Sequence, residues 1–303
     1  MSTVSAILEN AVKYADKLMQ RCIVLHLDEA IYAKAQEIRF QSTRFQERVI
    51  MKLGDFHTEL RYLPIIGRRF GAGGLEQILL QSELVANRSV HGVIEGTKYN
   101  RAMHVHKLVR EALERKRLES FRQNTTPDIQ ARVDAVVTQL NQSHPEQYEL
   151  VLQLPEVQDV LATYDKFIND SCESCPTFSY WSSYIEMVDV LLAHNKSTRD
   201  TDWELHLATV REMIPWFFAY DRVNYSRYLP VYLLEMLRLN DTHPETYAEF
   251  VQSWTVHNSS HHFSAMSGDH TIETTYNKKA KAAKGGQIGF STNRSAVHRW
   301  ILT

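Results

Sequence analysis

Asp269 and Glu273 stand one helical turn apart. From Thr274 to Thr303 there is then no acid at all, while Lys278, Lys279, Lys281, Lys284, Arg294 and Arg299 supply six positive side chains. Carboxylates are the ligands of hard divalent cations such as Mg2+ or Mn2+, and neighbouring Lys and Arg can hold phosphate. An ordinary helix start followed by a solvated basic tail would leave the same pattern. Two further places carry candidate chemistry. Asp28 follows directly on the apolar run Cys22–Leu27, and Asp55 and His57 follow on Val49–Leu53. Ligands of α/β sheets collect at the carboxyl ends of strands, so Asp28 and the Asp55/His57 pair could converge. The structural alternative is an N-cap at Asp28 and a plain turn histidine at His57.

Other combinations are less specific. Cys172-Glu173-Ser174-Cys175 has the CxxC spacing, but a zinc site needs four ligands and no second CxxC or CxxH stands nearby. His257, His261 and His262 fit no regular helix face. Gly71-Ala72-Gly73-Gly74 is not a phosphate loop of the GxxxxGK[ST] type. The aromatic stretch Trp216–Tyr225 reads as core, with a base-stacking platform as the alternative.

These groups must be positioned by an ordinary globular chain. Its 303 residues are 44% apolar and 23% charged, enough for one large core or two smaller ones. The formal charge of −2 confines any nucleic-acid contact to a local patch, and the C-terminal basic run is the candidate. No apolar stretch reaches the ~18–20 residues of a membrane span. The first residues lack a basic-then-apolar signal pattern, and three cysteines fit a reducing compartment. The expected location is intracellular, nuclear or cytoplasmic, with no membrane partner. The oligomeric state cannot be read.

Apolar spacing predicts a first helix over Thr3–Gln20 with Val4, Ile7, Leu8, Val12, Ala15 and Leu18 on one side. A strand (Cys22–Leu27), a helix (Ala30–Arg39) and a second strand (Val49–Leu53, closed by Gly54–His57) follow, a fragment of α/β architecture. From Glu59 to about Phe250 every periodic segment reads as helix. Ser143-His144-Pro145-Glu146 and Thr242-His243-Pro244-Glu245 both have the form of a capping box. Gly71–Gly74 is the expected flexible point, and Arg122–Asp128 the expected linker.

Several strings occur here in a specific order: Leu27-Asp28-Glu29-Ala30-Ile31-Tyr32, Met51-Lys52-Leu53-Gly54-Asp55-Phe56-His57-Thr58, Tyr99-Asn100-Arg101-Ala102, Trp203-Glu204-Leu205-His206-Leu207, Met213-Ile214-Pro215-Trp216-Phe217-Phe218-Ala219-Tyr220-Asp221, His243-Pro244-Glu245 and Asp269–Gly286. Together they resemble a family multiplied in marine invertebrate genomes and associated with mobile elements, whose layout is similar to that of DDE-type transposases. The resemblance implies a mainly α fold with a small β component. Residues 1–60 and 251–303 would form an incomplete RNase H-like α/β core, interrupted by an all-helical insertion over 61–250. It implies metal-dependent cleavage and transfer of DNA strands, with two Mg2+ or Mn2+ ions held by three carboxylates.

Asp28 would then be the second acid and Glu273 the third, with Asp269 assisting on the same helix face. His57 would match the histidine of a C/D-x-x-H-like element, and Lys278, Lys279, Lys281 and Lys284 would contact DNA phosphates. Three departures accompany the resemblance: the family's upstream segment with the first acid is missing, Glu29 stands where a Gln is usual, and His270 stands where a Gln is expected. On this basis the chain is expected to be inactive in transposition. The competing expectation is a non-enzymatic helical scaffold or protein-interaction module.

Overall fold

The computed structural model describes residues 2–279 except 258 and 262. The fold is mainly α-helical with a small β component. The two strands expected near the N-terminus form, as β1 (Ile23–Leu27) and β2 (Val49–Leu53), and they pair in parallel with Ile23 opposite Val49 and Leu27 opposite Leu53. That register ends both strands at one level. Parallel neighbours need a crossover, and the helices Glu29–Phe40 and Thr43–Arg48 provide it. Every residue of β2 is buried, including Lys52. Two more strands, β3 (Val256–His257) and β4 (Ala265–Met266), form a short antiparallel pair.

The described chain divides into two compact units. One comprises the chain up to Arg69, the stretch Ile94–Thr97, and the chain from Val190 onward. It holds both strand pairs. The helices Trp203–Ala219 and Val223–Leu237 belong to it, so this unit resumes near residue 190, where the resemblance implied 250. The second unit, Phe70–Val93 with Lys98–Asp189, is all helical. Its core includes Phe121, Val133 and Val160 with Tyr164 and Phe167, and a separate ring group gathers Tyr180 and Tyr184 edge-on against Phe70. No helix among the described residues is long and apolar enough to cross a membrane.

Several local expectations are corrected. The first helix ends at Lys17, and Ile7 and Leu18 of its assigned apolar side are exposed. Neither capping box forms. The Ser143 hydroxyl donates back to Gln139 O, and the Thr242 hydroxyl donates to Arg238 O. In both, Pro occupies the first helical position and the His before it takes the cap place, which leaves the hydroxyl one residue too early. Arg122–Asp128 is a tight connection inside the second unit, with Thr126 capping the helix Pro127–Gln142. Gly71–Leu75 is a π-helical turn rather than a loose loop, and Gly74 supplies the positive φ of 123° that it requires. Phe217 stacks on Tyr225 at 4.8 Å as core, whereas Phe218 is exposed.

Candidate functional site

The ends of β1 and β2 present Asp28 and the Gly54-Asp55 pair side by side, because the parallel register aligns them. Asp28 is an N-cap: its carboxylate accepts from Ile31 N at 2.9 Å, and it is exposed. The second strand end departs from expectation. Gly54–His57 is not a turn, since a helix begins at Asp55 and runs to Phe70, with His57 in its first turn.

The first N–H groups of that helix need acceptors, and no local side chain serves His57 N. Asp269 does so from the far end of the chain. Its Oδ2 accepts from His57 N at 3.0 Å and lies 3.0 Å from His57 Nδ1. Asp269 sits on the short helix Gly268–Ile272, which is held tightly against the strand ends. A Cβ on Gly54 would lie 2.5 Å from Asp269 Oδ2, and one on Gly268 would lie 2.6 Å from His26 Nδ1. Gly54→Ala is therefore expected to push Asp269 off His57 and to destabilise the chain by about 1–3 kcal/mol, an overpacking cost. Urea denaturation together with the His57 titration checks this, and an unchanged His57 titration would contradict the close approach.

Burial alone would raise the Asp269 pKa. The hydrogen bonds from the His57 ring, Ser267 and His57 N overrule it and hold the carboxyl well below the usual range. Its Oδ1 is buried with no partner in hydrogen-bond geometry. The His57 pKa is raised, first by the hydrogen bond to Asp269 against the opposing effect of burial, then by the charges of Asp269, Glu273 and Asp28. Of the three acids named from sequence, Asp269 bonds that imidazole, while Glu273 and Asp28 contribute through their charge. Glu273 is half-buried one turn beyond Asp269, where the helix continues as a π-turn over Glu273–Asn277, and it accepts from Asn277 Nδ2 at 2.8 Å. Phe56 and His270 stack at 4.4 Å beside the pair. Lys278 and Lys279 are exposed beyond Glu273, and Lys281 and Lys284 lie outside the described residues.

A second group lies below the first and is wholly buried. Asp55 and Glu59 point inward from the same helix as His57, one turn apart. Lys52 Nζ meets Asp55 Oδ2 at 2.5 Å and sits 4.0 Å above the Trp254 ring. His194, on the helix Pro176–Asp200, places Nδ1 3.0 Å from Glu59 Oε1 and Nε2 3.9 Å from Asp55 Oδ1. His206 places Nδ1 3.4 Å from Asp55 Oδ1 and Nε2 2.9 Å from the Tyr232 hydroxyl. Burial, then the charges of Lys52 and His194, push the His206 pKa well down, so its ring is neutral. Burial also pushes Lys52 down and Asp55 up, against their mutual attraction.

Asp55, His194 and His206 form a buried group that could hold a metal ion, with ligand atoms all within 4.8 Å of one another. It is the one three-residue group of that kind among the described residues, and Asp28, Asp269 and Glu273 are not such a group.

A family model for a domain of unknown function (DUF8702) matches residues 1–303. The chain belongs to the DUF8702 family. No curated protein and no solved structure matches it.

Sequence reasoning placed Asp28, Asp55, His57, Asp269 and Glu273 in this part of the DUF8702 fold and missed Lys52, Glu59, His194 and His206, which complete the buried group around Asp55. Two signals for it were present. A lysine interrupts the apolar strand Val-Ile-Met-Lys-Leu, and Asp55 and Glu59 are spaced one helical turn apart directly after it. A buried lysine demands a buried carboxylate. The two histidines carried no local signal of the carboxylate that they meet, which lies on a distant helix. Cys172 and Cys175 are free thiols at the end of a helix, and no metal group among the described residues includes them.

Proposed function

We propose that the DUF8702 chain is a transposase-derived DNA-binding protein with a vestigial RNase H-like strand-cleavage site at the ends of β1 and β2. The observation that carries this reading is Asp269, brought from the far end of the chain onto His57, with Glu273 one turn beyond it and Asp28 at the neighbouring strand end. Acidic side chains beside an imidazole suit a divalent cation.

The donor set is all oxygen, as Mg2+ or Mn2+ prefers, and Asp269 Oδ1 is a buried acceptor without a partner. Asp28, Asp269 and Glu273 would hold the ion, which when bound supplies Lewis-acid polarisation of a phosphodiester. His57 acts as a positioning residue, orienting Asp269 through its ring and backbone N–H. Lys278 and Lys279 follow Glu273 directly, where the DNA backbone would pass. Asp269 has committed Oδ2 to His57, and the acids do not close into a three-ligand cluster, so strand cleavage and transfer are impaired.

The expected result is Mn2+ broadening of the His57 ring resonances, lost in Glu273→Gln, with DNA binding that weakens steeply with salt and falls in Lys278→Glu/Lys279→Glu. DNA cleavage by the unaltered chain in Mn2+ should not exceed that of Glu273→Gln. Absence of both the broadening and the DNA binding sinks the reading. That outcome favours a non-enzymatic helical scaffold, for which the observation is that Asp28 already serves as a helix cap.

A further inference from the structure

The buried group poses a problem of hydrogen-bond chemistry that the strand-end acids do not solve. His194 Nδ1 meets Glu59 Oε1 at 3.0 Å. His194 Nε2 faces Asp55 Oδ1 at 3.9 Å. His206 Nδ1 faces the same oxygen, and neither nitrogen has a hydrogen-bond partner although both are buried. Two buried imidazole nitrogens without a hydrogen-bond partner thus converge on one carboxylate oxygen, in a place where an unmet polar atom costs about 1–3 kcal/mol.

We infer that Asp55 Oδ1, His194 Nε2 and His206 Nδ1 are the ligands of a buried transition-metal site of the Zn2+ class. Two imidazoles and one carboxylate are donors that suit Zn2+ or Co2+, whereas Mg2+ keeps oxygen and water. Ligand atoms at ~2.0–2.1 Å from a tetrahedral ion lie roughly 3.3 Å apart, and His206 and Asp55 already stand at 3.4 Å. His194 stands at 3.9 Å and all three ligand atoms lie within 4.8 Å of one another, so the site closes with a movement on the order of an ångström.

The surrounding partners are those a metal site requires. His194 is backed by the Glu59 carboxylate and His206 by the Tyr232 hydroxyl, which fix both rings with a nitrogen toward the ion. Lys52 is the apparent obstacle, because its ammonium lies in the same pocket. It is bound to Asp55 Oδ2, however, leaving Oδ1 for the ion.

The ion ties three elements together: the start of the helix Asp55–Phe70, the helix Pro176–Asp200 and the helix Trp203–Ala219. Because His57 lies two residues from Asp55, this staple supports the strand-end site without belonging to it.

Titration of the chelated full chain with Co2+ tests the inference. The expected outcome is one Co2+ per chain with the visible bands of a low-coordinate nitrogen–oxygen site, displaced by Zn2+ and untouched by a large excess of Mg2+. Zn2+ should raise the melting temperature. The double variant His194→Gln/His206→Gln should lose the bands. Should it fail to fold, Tyr232→Phe keeps every ligand atom and is expected to weaken Co2+ binding about 10–100-fold. Glu273→Gln should leave the bands unchanged, which separates this site from the strand-end one. A folded, chelated chain that takes up no stoichiometric Co2+ overturns the inference. So does uptake that persists in the double variant, or Tyr232→Phe binding as tightly as the original.

Discussion

Asp55→Asn is expected to cost about 3–5 kcal/mol of folding stability, the largest effect of any single polar substitution in the strand-bearing unit. Lys52 is fully buried and its ammonium has one carboxylate at bonding distance, Asp55 Oδ2. The Trp254 ring beneath it offers only a cation–π contact. Removing the carboxylate charge strands an ammonium in the core, which is far more costly than removing both charges together. The paired substitution Lys52→Met/Asp55→Leu is accordingly expected to recover most of the loss, since buried ion pairs replaced by apolar groups of similar volume are often near neutral. Against typical total stabilities of about 5–15 kcal/mol, the single variant should be visibly less folded in mild urea. Urea midpoints of the metal-free chain and its two variants decide it. Equal losses in the single and paired variants would show that the charge of Lys52 is not the cause.

The second large effect is at Asp269. Asp269→Asn removes the charge from a carboxylate that caps the helix starting at Asp55 and holds the His57 ring. A charge-assisted hydrogen bond contributes on the order of 1.5–3 kcal/mol, and we expect a loss of about 2–3 kcal/mol near pH 5–6. The pH dependence has a definite sign. Asp269 has a depressed folded pKa, so its contribution is present above the unfolded carboxyl value near 3.8 and is lost as pH falls through the lower folded value. His57 has a raised folded pKa, so its contribution is full below the unfolded value near 6.5 and is lost as pH rises through the higher folded value. The difference between the original chain and the variant is therefore greatest from about pH 4 to 6.5 and narrows on either side. Proton NMR of the His57 ring should show its pKa falling in Asp269→Asn. A His57 titration indifferent to Asp269 would remove the electrostatic basis for the strand-end site.

Much of this arrangement is legible in the chain. The run Val49–Leu53 is apolar at every position but one, which is the pattern of a strand buried on both faces, and it forms that strand. Asp28 after the first strand predicts a cap as readily as a ligand, and the cap is what forms. Helix existence follows from periodicity through the middle of the chain. The failures are at helix starts, where a hydroxyl three residues before a glutamate looks like a capping box. The intervening proline shifts the first helical residue, and the hydroxyl turns back to the preceding helix. His57 belongs to a helix rather than a turn for a related reason. The acceptor for its N–H is not local but Asp269, so no nearby residue announces where the helix begins.

By itself the sequence determined the two parallel-prone strands, the helical character of the rest, and the short candidate set Asp28, His57, Asp269 and Glu273 beside a basic run. Periodicity and end chemistry are local properties, and local properties can be read along a chain. Tertiary structure alone decided that Asp269 binds His57, that Lys52 is neutralised by Asp55, and that His194 and His206 meet at that carboxylate. Those pairings depend on the register of β1 on β2 and on how distant helices pack against the strand ends. A histidine carries no mark of the carboxylate that it will meet on a distant helix.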